Sequence, residues 1–156
     1  MSKLIIFLFA IFFVINCSPH LKQNTLITVK GKHLAEMGIS LVHEHILVDF
    51  IGADSTGYHR LEKEKVIERA LPFYGKQKKG VNTVFECTPA YLGRDPLLLK
   101  TLPEKTGINI FTNTSYYSAG TNKYVPKHAF GKTPEDIAKV WIDEFKKGME
   151  GFRTKL

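Results

Sequence analysis

Two histidines separated by one residue, His43 and His45, carry the side chains best suited to chemistry in this sequence. They follow an apolar run, and we predict a β-strand over residues 38–50 that runs into a loop. Alternate residues of a strand share a face, so both imidazoles should point the same way and Glu44 the other. Paired neutral imidazoles on a rigid strand are good ligands for a borderline metal such as zinc. The alternative is that the two histidines alternate by chance, with one exposed or both hydrogen-bonded in a core.

The elements that must position this pair alternate between strands and helices. Apolar runs predict strands, and helical periodicity predicts helices. The strands fall at 25–30, 38–50, 81–88 and 108–112, and the helices at 61–78, 96–105 and 134–147. The last helix is the best marked, because Thr133, Pro134 and Asp136 form a capping-box signature and Gly148 is a stop signal. From residue 38 the alternation predicts an α/β protein of parallel βα units, whose chemistry sits in the loops after the strands.

The composition is that of one ordinary globular domain. The chain has 156 residues, of which 44% are hydrophobic, and a net charge of +7. Charges of both signs alternate at 61–65, which is typical of a solvated helix face. A nucleic-acid partner would call for a basic stripe with aromatic platforms or a known module, and the sequence has neither. Cys87 lies in an apolar run and is expected to be a small buried hydrophobic residue.

The N-terminus has the pattern of an export signal. Residues 4–15 form an unbroken apolar run, too short for a bilayer span of about 20 residues but suited to a signal peptide. Cys17 follows in a segment similar to a lipoprotein cleavage box, although Asn16 stands where a small residue is usual. We expect a signal peptide at 1–17 with lipidation at Cys17, a tether at 18–25, and a periplasmic or outer-membrane-anchored location. A cleaved peptide without lipidation is the alternative.

Several segments resemble the phosphotriesterase family, and they occur in family order. Residues 38–46 match a signature of glycine, then leucine, then His-Glu-His and an aliphatic residue. Residues 80–95 resemble the second strand with its Gly-Arg-Asp start of the next helix, and 108–117 the third strand with its pocket loop. With the helix at 141–151 included, the resemblance covers roughly residues 26 to 151.

This resemblance implies both a fold and an activity. Residues 26–156 would form the N-terminal part of a (β/α)8 TIM barrel, truncated after about three βα units. Complete family members carry two divalent metals, usually zinc, and His43 and His45 would bind one of them. A hydroxide held between the metals would attack a phosphoric or carboxylic ester or a lactone, so the expected partner is a small molecule. The family's bridging lysine on strand four has no counterpart here, because Lys155 comes too early.

Other residues receive weaker assignments. Tyr116 and Tyr117 are candidates for the substrate pocket, with a plain surface loop as the alternative. Arg94 and Asp95 are interpreted as structural, an acid near a helix start and an arginine to pair with it. Two further histidines match no ligand position and are expected in surface loops: His59 and His128.

The short chain limits what this pair can do alone. A barrel typically needs ~250 residues, and a zinc site needs four ligands, or three and water. We therefore expect a metal-dependent hydrolase by family, with little or no activity from this chain and no catalytic residue assigned within it. One alternative is a non-catalytic lipoprotein that binds metal or a partner. Another is a complete small α/β domain of different function.

Overall fold

The computed structural model describes residues 26–31, 33–34, 36–74 and 80–149. The predicted signal peptide, tether, Cys17 and Lys155 lie outside these residues. In this part of the chain, no helix is both long enough and apolar enough to cross a bilayer.

Five short strands form two sheets in the described part of the chain. Strands β1 (Leu26–Ile27) and β2 (His33–Leu34) pair antiparallel. Strands β3 (Ser40–Glu44), β4 (Thr83–Glu86) and β5 (Asn109–Phe111) form a parallel sheet in the order β3-β4-β5. The predicted strand positions are confirmed, although each strand is shorter than its apolar run, and β2 was not predicted.

The crossovers between parallel strands pass through helices that bury one face of the sheet. Helix α1 (Lys63–Tyr74) lies between β3 and β4, and α2 (Pro96–Thr106) lies between β4 and β5. The core joins strand residues to apolar residues of both helices, among them Val84, Ile110, Ile67, Ala70, Leu98 and Leu102. This is the arrangement of successive βα units, as expected for the first part of a (β/α)8 barrel.

Local signals in the sequence set where the helices begin and end. The Asp95 carboxylate caps α2 by accepting from the backbone N–H groups of Leu97 and Leu98. Helix α3 (Pro134–Lys147) begins with a reciprocal capping box between Thr133 and Asp136, as predicted. Each cap satisfies backbone donors that a helix leaves free at its first turn.

Helical spacing predicts an apolar face on α3 with one acid at its edge, and that face is only partly covered. It consists of Ile137, Val140, Trp141, Glu144 and Phe145. None of its residues is fully buried among those described. Phe145 and Ile142 remain about half exposed, while Trp141 packs edge-on against Tyr116 with ring centroids 5.7 Å apart. The helix is therefore fixed mainly by its polar and aromatic contacts with the loops.

Candidate metal site at the strand ends

The imidazoles of His43 and His45 meet at the carboxyl end of β3. Their Nε2 atoms lie 3.2 Å apart, and their ring centroids lie 5.1 Å apart in an edge-on arrangement. Both side chains are exposed to solvent. The expectation that the two rings share a side of the strand is confirmed.

An irregularity in β3 produces this arrangement. Leu41 pairs with Val84, and Glu44 pairs with Glu86, so three steps along β3 match two along β4. A register shift of this kind, as in a β-bulge, re-aims the side chains on either side of it. Leu41 packs against the core, whereas strict alternation from Leu41 would also have turned His43 toward the helices. The register shift instead leaves His43 exposed.

Glu44 lies on the helix side, as predicted. Burial, followed by the negative charges of Glu44 and Glu86, raises the pKa of the Tyr74 hydroxyl on α1. Glu44 and Tyr74 line the same cavity between β3 and α1. Glu44 and Glu86 sit opposite each other on neighbouring strands.

Two buried polar residues lie behind His45: Glu86 at the end of β4 and Thr88 in the loop after it. The Nδ1 atom of His45 lies 3.0 Å from Oγ1 of Thr88, whose side chain is completely buried. Glu86 is also buried, and desolvation raises its pKa to about 7 despite hydrogen bonds from Thr88 and from the backbone N–H of Ile46. Sequence reasoning missed Glu86 and Thr88, although two polar residues at alternate positions of an apolar strand were a usable signal.

The spacing of the two imidazoles suits a shared cation. Zinc–imidazole bonds are about 2.0–2.1 Å long, and two such ligands at a tetrahedral angle stand roughly 3.3 Å apart, close to the 3.2 Å found here. Among the described residues, no group of three or more His, Cys, Asp and Glu side chains could hold a metal. The described residues therefore provide two donors that fit a divalent metal, and no more.

Cys87 differs from its predicted burial. Its side chain is half-buried and its thiol is free. The Sγ atom lies 3.9 Å from the carbonyl oxygen of Val42, within the irregular part of β3. The thiol is thus on the open side of the sheet, which the apolar run alone did not indicate.

The two candidate pocket tyrosines lie in different surroundings. The Tyr116 hydroxyl is 3.0 Å from Nε2 of His128, and the ring packs against Tyr91 and Trp141. Burial raises the pKa of Tyr116 to about 12. Tyr117 is 42% exposed and its ring lies 5.8 Å from that of Tyr124 at the loop surface. Tyr117 is therefore the more accessible of the two, and a pocket role stays a prediction for both.

The remaining predicted residues are structural or exposed. The Arg94 guanidinium is fully buried, donates to the carbonyl of Asn113 and lies 3.3 Å from the Glu144 carboxylate on α3. This ion pair links the loop after β4 to the third βα unit. The expected pairing of Arg94 with Asp95 is corrected accordingly, because the Asp95 carboxylate caps α2. His59 and His128 are exposed, as expected, and each lies in a one-turn 3-10 helix, Tyr58–Arg60 and Lys127–Ala129.

The chain matches known proteins along most of its length. The model of the phosphotriesterase family matches residues 24–156. The phosphotriesterase homology protein of Escherichia coli is 28% identical over 76% of this chain, and the aryldialkylphosphatase of Saccharolobus solfataricus is 25% identical over 77%. A mutant PTE-like lactonase of Deinococcus radiodurans superposes with a TM-score of 0.66 and 25% identity, over 84% of this chain and 42% of that one.

These matches cover only part of each relative. The chain spans 39% of the length of the Escherichia coli protein and 38% of the Saccharolobus solfataricus protein. The aligned parts include the three parallel βα units described above. The fold is accordingly that of a partial TIM barrel.

Proposed function

Because this chain belongs to the phosphotriesterase family, we propose that it supplies the first-strand metal ligands of a metal-dependent hydrolase. The 3.2 Å separation of the His43 and His45 Nε2 atoms is the observation that carries the proposal. Zinc is the favoured metal, since neutral imidazoles are among its usual ligands.

The chemistry follows from what such a pair can hold. A divalent cation bound there would supply a Lewis acid, which makes water acidic near neutral pH and polarises an ester. His43 and His45 hold that charge at the strand ends, on a side open to solvent. Buried Thr88 keeps the His45 ring from rotating away.

The substrate class follows from the names of the relatives. One is an aryldialkylphosphatase and another a PTE-like lactonase. We infer a small phosphoric or carboxylic ester or a lactone as the substrate of the complete activity. Tyr116 and Tyr117 are the proposed pocket residues, and Tyr117 is the more accessible of the two.

A second candidate function is metal or partner binding without turnover. The described residues offer two imidazoles and no larger ligand group, whereas a catalytic zinc site uses three protein ligands and water. A chain that binds metal weakly and hydrolyses nothing would fit this second candidate. Export with lipidation at Cys17 is compatible with both functions and is tested by the mass of the N-terminal peptide.

Two measurements test the proposal. The purified full chain is titrated with zinc, bound metal is measured by elemental analysis, and hydrolysis is followed with an aryl dialkyl phosphate and an aliphatic lactone. Turnover by the metal-loaded chain supports the hydrolase and contradicts the expectation that this chain is inactive. Failure to take up zinc in the micromolar range contradicts a metal site at His43 and His45. If zinc binds without turnover, genomic sequence directly downstream separates the candidates, since a continuation with a strand-four lysine and later histidines supports the hydrolase.

A further inference from the structure

Thr88 connects the exposed imidazole pair to the buried carboxylate of Glu86. Its Oγ1 lies 3.0 Å from Nδ1 of His45, and its hydroxyl is also hydrogen-bonded to the Glu86 side chain. Thr88 is completely buried and Glu86 is 2% exposed. Bulk water therefore has almost no access to Thr88 or Glu86.

Counting hydrogens fixes the direction of these bonds. A threonine hydroxyl has one hydrogen to donate, and an ionised carboxylate can only accept. At pH 8, above the Glu86 pKa of about 7, the hydroxyl hydrogen of Thr88 therefore goes to Glu86, and the oxygen accepts from Nδ1–H of His45. A neutral imidazole protonated at Nδ1 has its lone pair on Nε2.

The lone pair on Nε2 of His45 is directed toward His43, where the two imidazoles would bind one cation. The Nε2 atom of His45 is the atom that approaches His43. Nε2 of His45 is then unprotonated and can only accept a hydrogen bond. In the metal-free protein, the hydrogen between the two Nε2 atoms, 3.2 Å apart, must therefore be bonded to Nε2 of His43. The two neighbouring histidines would then be opposite tautomers, which is an unusual and measurable state.

We propose that Thr88 is a positioning residue, which holds His45 in the Nδ1–H tautomer so that Nε2 is free to bind metal. The inference rests on the proposed function for its purpose, but its tautomer prediction concerns the metal-free protein. Residues that orient a metal-bound histidine through its second nitrogen commonly change metal affinity 10- to 100-fold when removed.

The test uses the full chain, labelled with nitrogen-15 and freed of metal by a chelator, at pH 8. Long-range proton–nitrogen spectra report the tautomer of each ring, with His43→Gln and His45→Gln used for assignment. We expect an Nδ1–H signature for His45 and an Nε2–H signature for His43. An Nε2–H signature for His45 in the unmodified protein overturns the proposal, and this measurement needs no folded variant.

Two substitutions at position 88 provide the matched comparison. Thr88→Val keeps the volume but loses the hydroxyl, and Thr88→Ser keeps the hydroxyl. We expect Thr88→Val to mix the His45 tautomers and to weaken zinc binding about 10- to 100-fold, with Thr88→Ser close to the parent. Equal tautomers and affinities in Thr88→Val and the parent would overturn the proposal. If no form binds zinc, the proposed function fails while the tautomer result still decides the role of Thr88.

Discussion

A β-carbon placed on Gly93 would lie 2.7 Å from the backbone nitrogen of Asp49. The same nitrogen donates to the carbonyl of Leu92 at 2.8 Å, so the loops after β3 and β4 meet there backbone to backbone. The Asp49 carboxylate then accepts from Arg60 at 2.7 Å and from Thr56 at 3.3 Å, which closes the first loop on itself. The imidazole pair therefore stands beside a loop held by close packing.

Gly93→Ala should be strongly destabilising. Gly93 has a φ of +114°, which costs a residue with a side chain about 1–3 kcal/mol, and the backbone contact with Asp49 adds to this. Gly131→Ala is the matched control, because Gly131 also has a positive φ but has nothing within 4 Å of the added carbon. Urea unfolding of both variants measures the difference, and equal losses would contradict the packing argument.

The buried Arg94–Glu144 pair should contribute much more than an exposed pair. Arg94→Met leaves the Glu144 carboxylate and the Asn113 carbonyl without their donor, and we expect a loss of about 3–5 kcal/mol. Lys147→Met, which breaks the exposed pair with Asp143, should cost less than about 0.5 kcal/mol. Denaturant unfolding of both variants measures the two losses of stability. Similar losses would show that the buried pair of Arg94 contributes no more than an exposed pair.

The buried Glu86 should make stability depend on pH. Its pKa is about 7 in the folded chain against a reference value of 4.5, so the folded state binds more protons between these values. The contribution of Glu86 to the free energy of unfolding is therefore fully present below pH 4.5 and is lost as the pH rises through 7. The total loss is on the order of 3 kcal/mol.

Glu86→Gln isolates this effect from other titrating groups. Urea unfolding between pH 4.5 and 8 should show the parent losing stability relative to the variant as the pH rises. Parallel curves for the two proteins would mean that Glu86 titrates normally in the folded chain.

Loss of either imidazole should weaken zinc binding severely. His43→Ala and His45→Ala each remove half of the proposed ligand pair, and we expect a loss larger than the 10- to 100-fold typical of an outer-shell residue. His59→Ala is the control, since His59 is exposed in the short 3-10 helix before α1. Calorimetric titration with zinc measures the affinity of all three variants. An unchanged zinc affinity in His43→Ala would show that His43 is not a ligand.

Much of the scaffold was predictable because its signals are local. The capping box of Thr133 and Asp136 and the stop at Gly148 are determined by neighbours within one helical turn, and the structure confirms them. The strand order was also predictable, because short apolar strands separated by helices favour parallel pairing. The imidazoles of His43 and His45 share a side, as their spacing indicated.

The support behind the site was not predictable in the same way. Thr88 contacts His45 across 43 positions of sequence, and Arg94 reaches Glu144 across 50. Such contacts depend on strand register and loop packing, which the sequence pattern leaves open. Phe145 was expected on the apolar face of its helix but is 52% exposed.

The register shift in β3 lets Leu41 and Glu44 share a side of the sheet although three positions separate them. Removing Val42 alone would let β3 and β4 pair in step while Leu41 and Glu44 keep their partners Val84 and Glu86. His43 and His45 would then stay on the side of the strand opposite Leu41, as they are now. An alignment gap of one residue between Leu41 and His43 is therefore compatible with an intact imidazole pair.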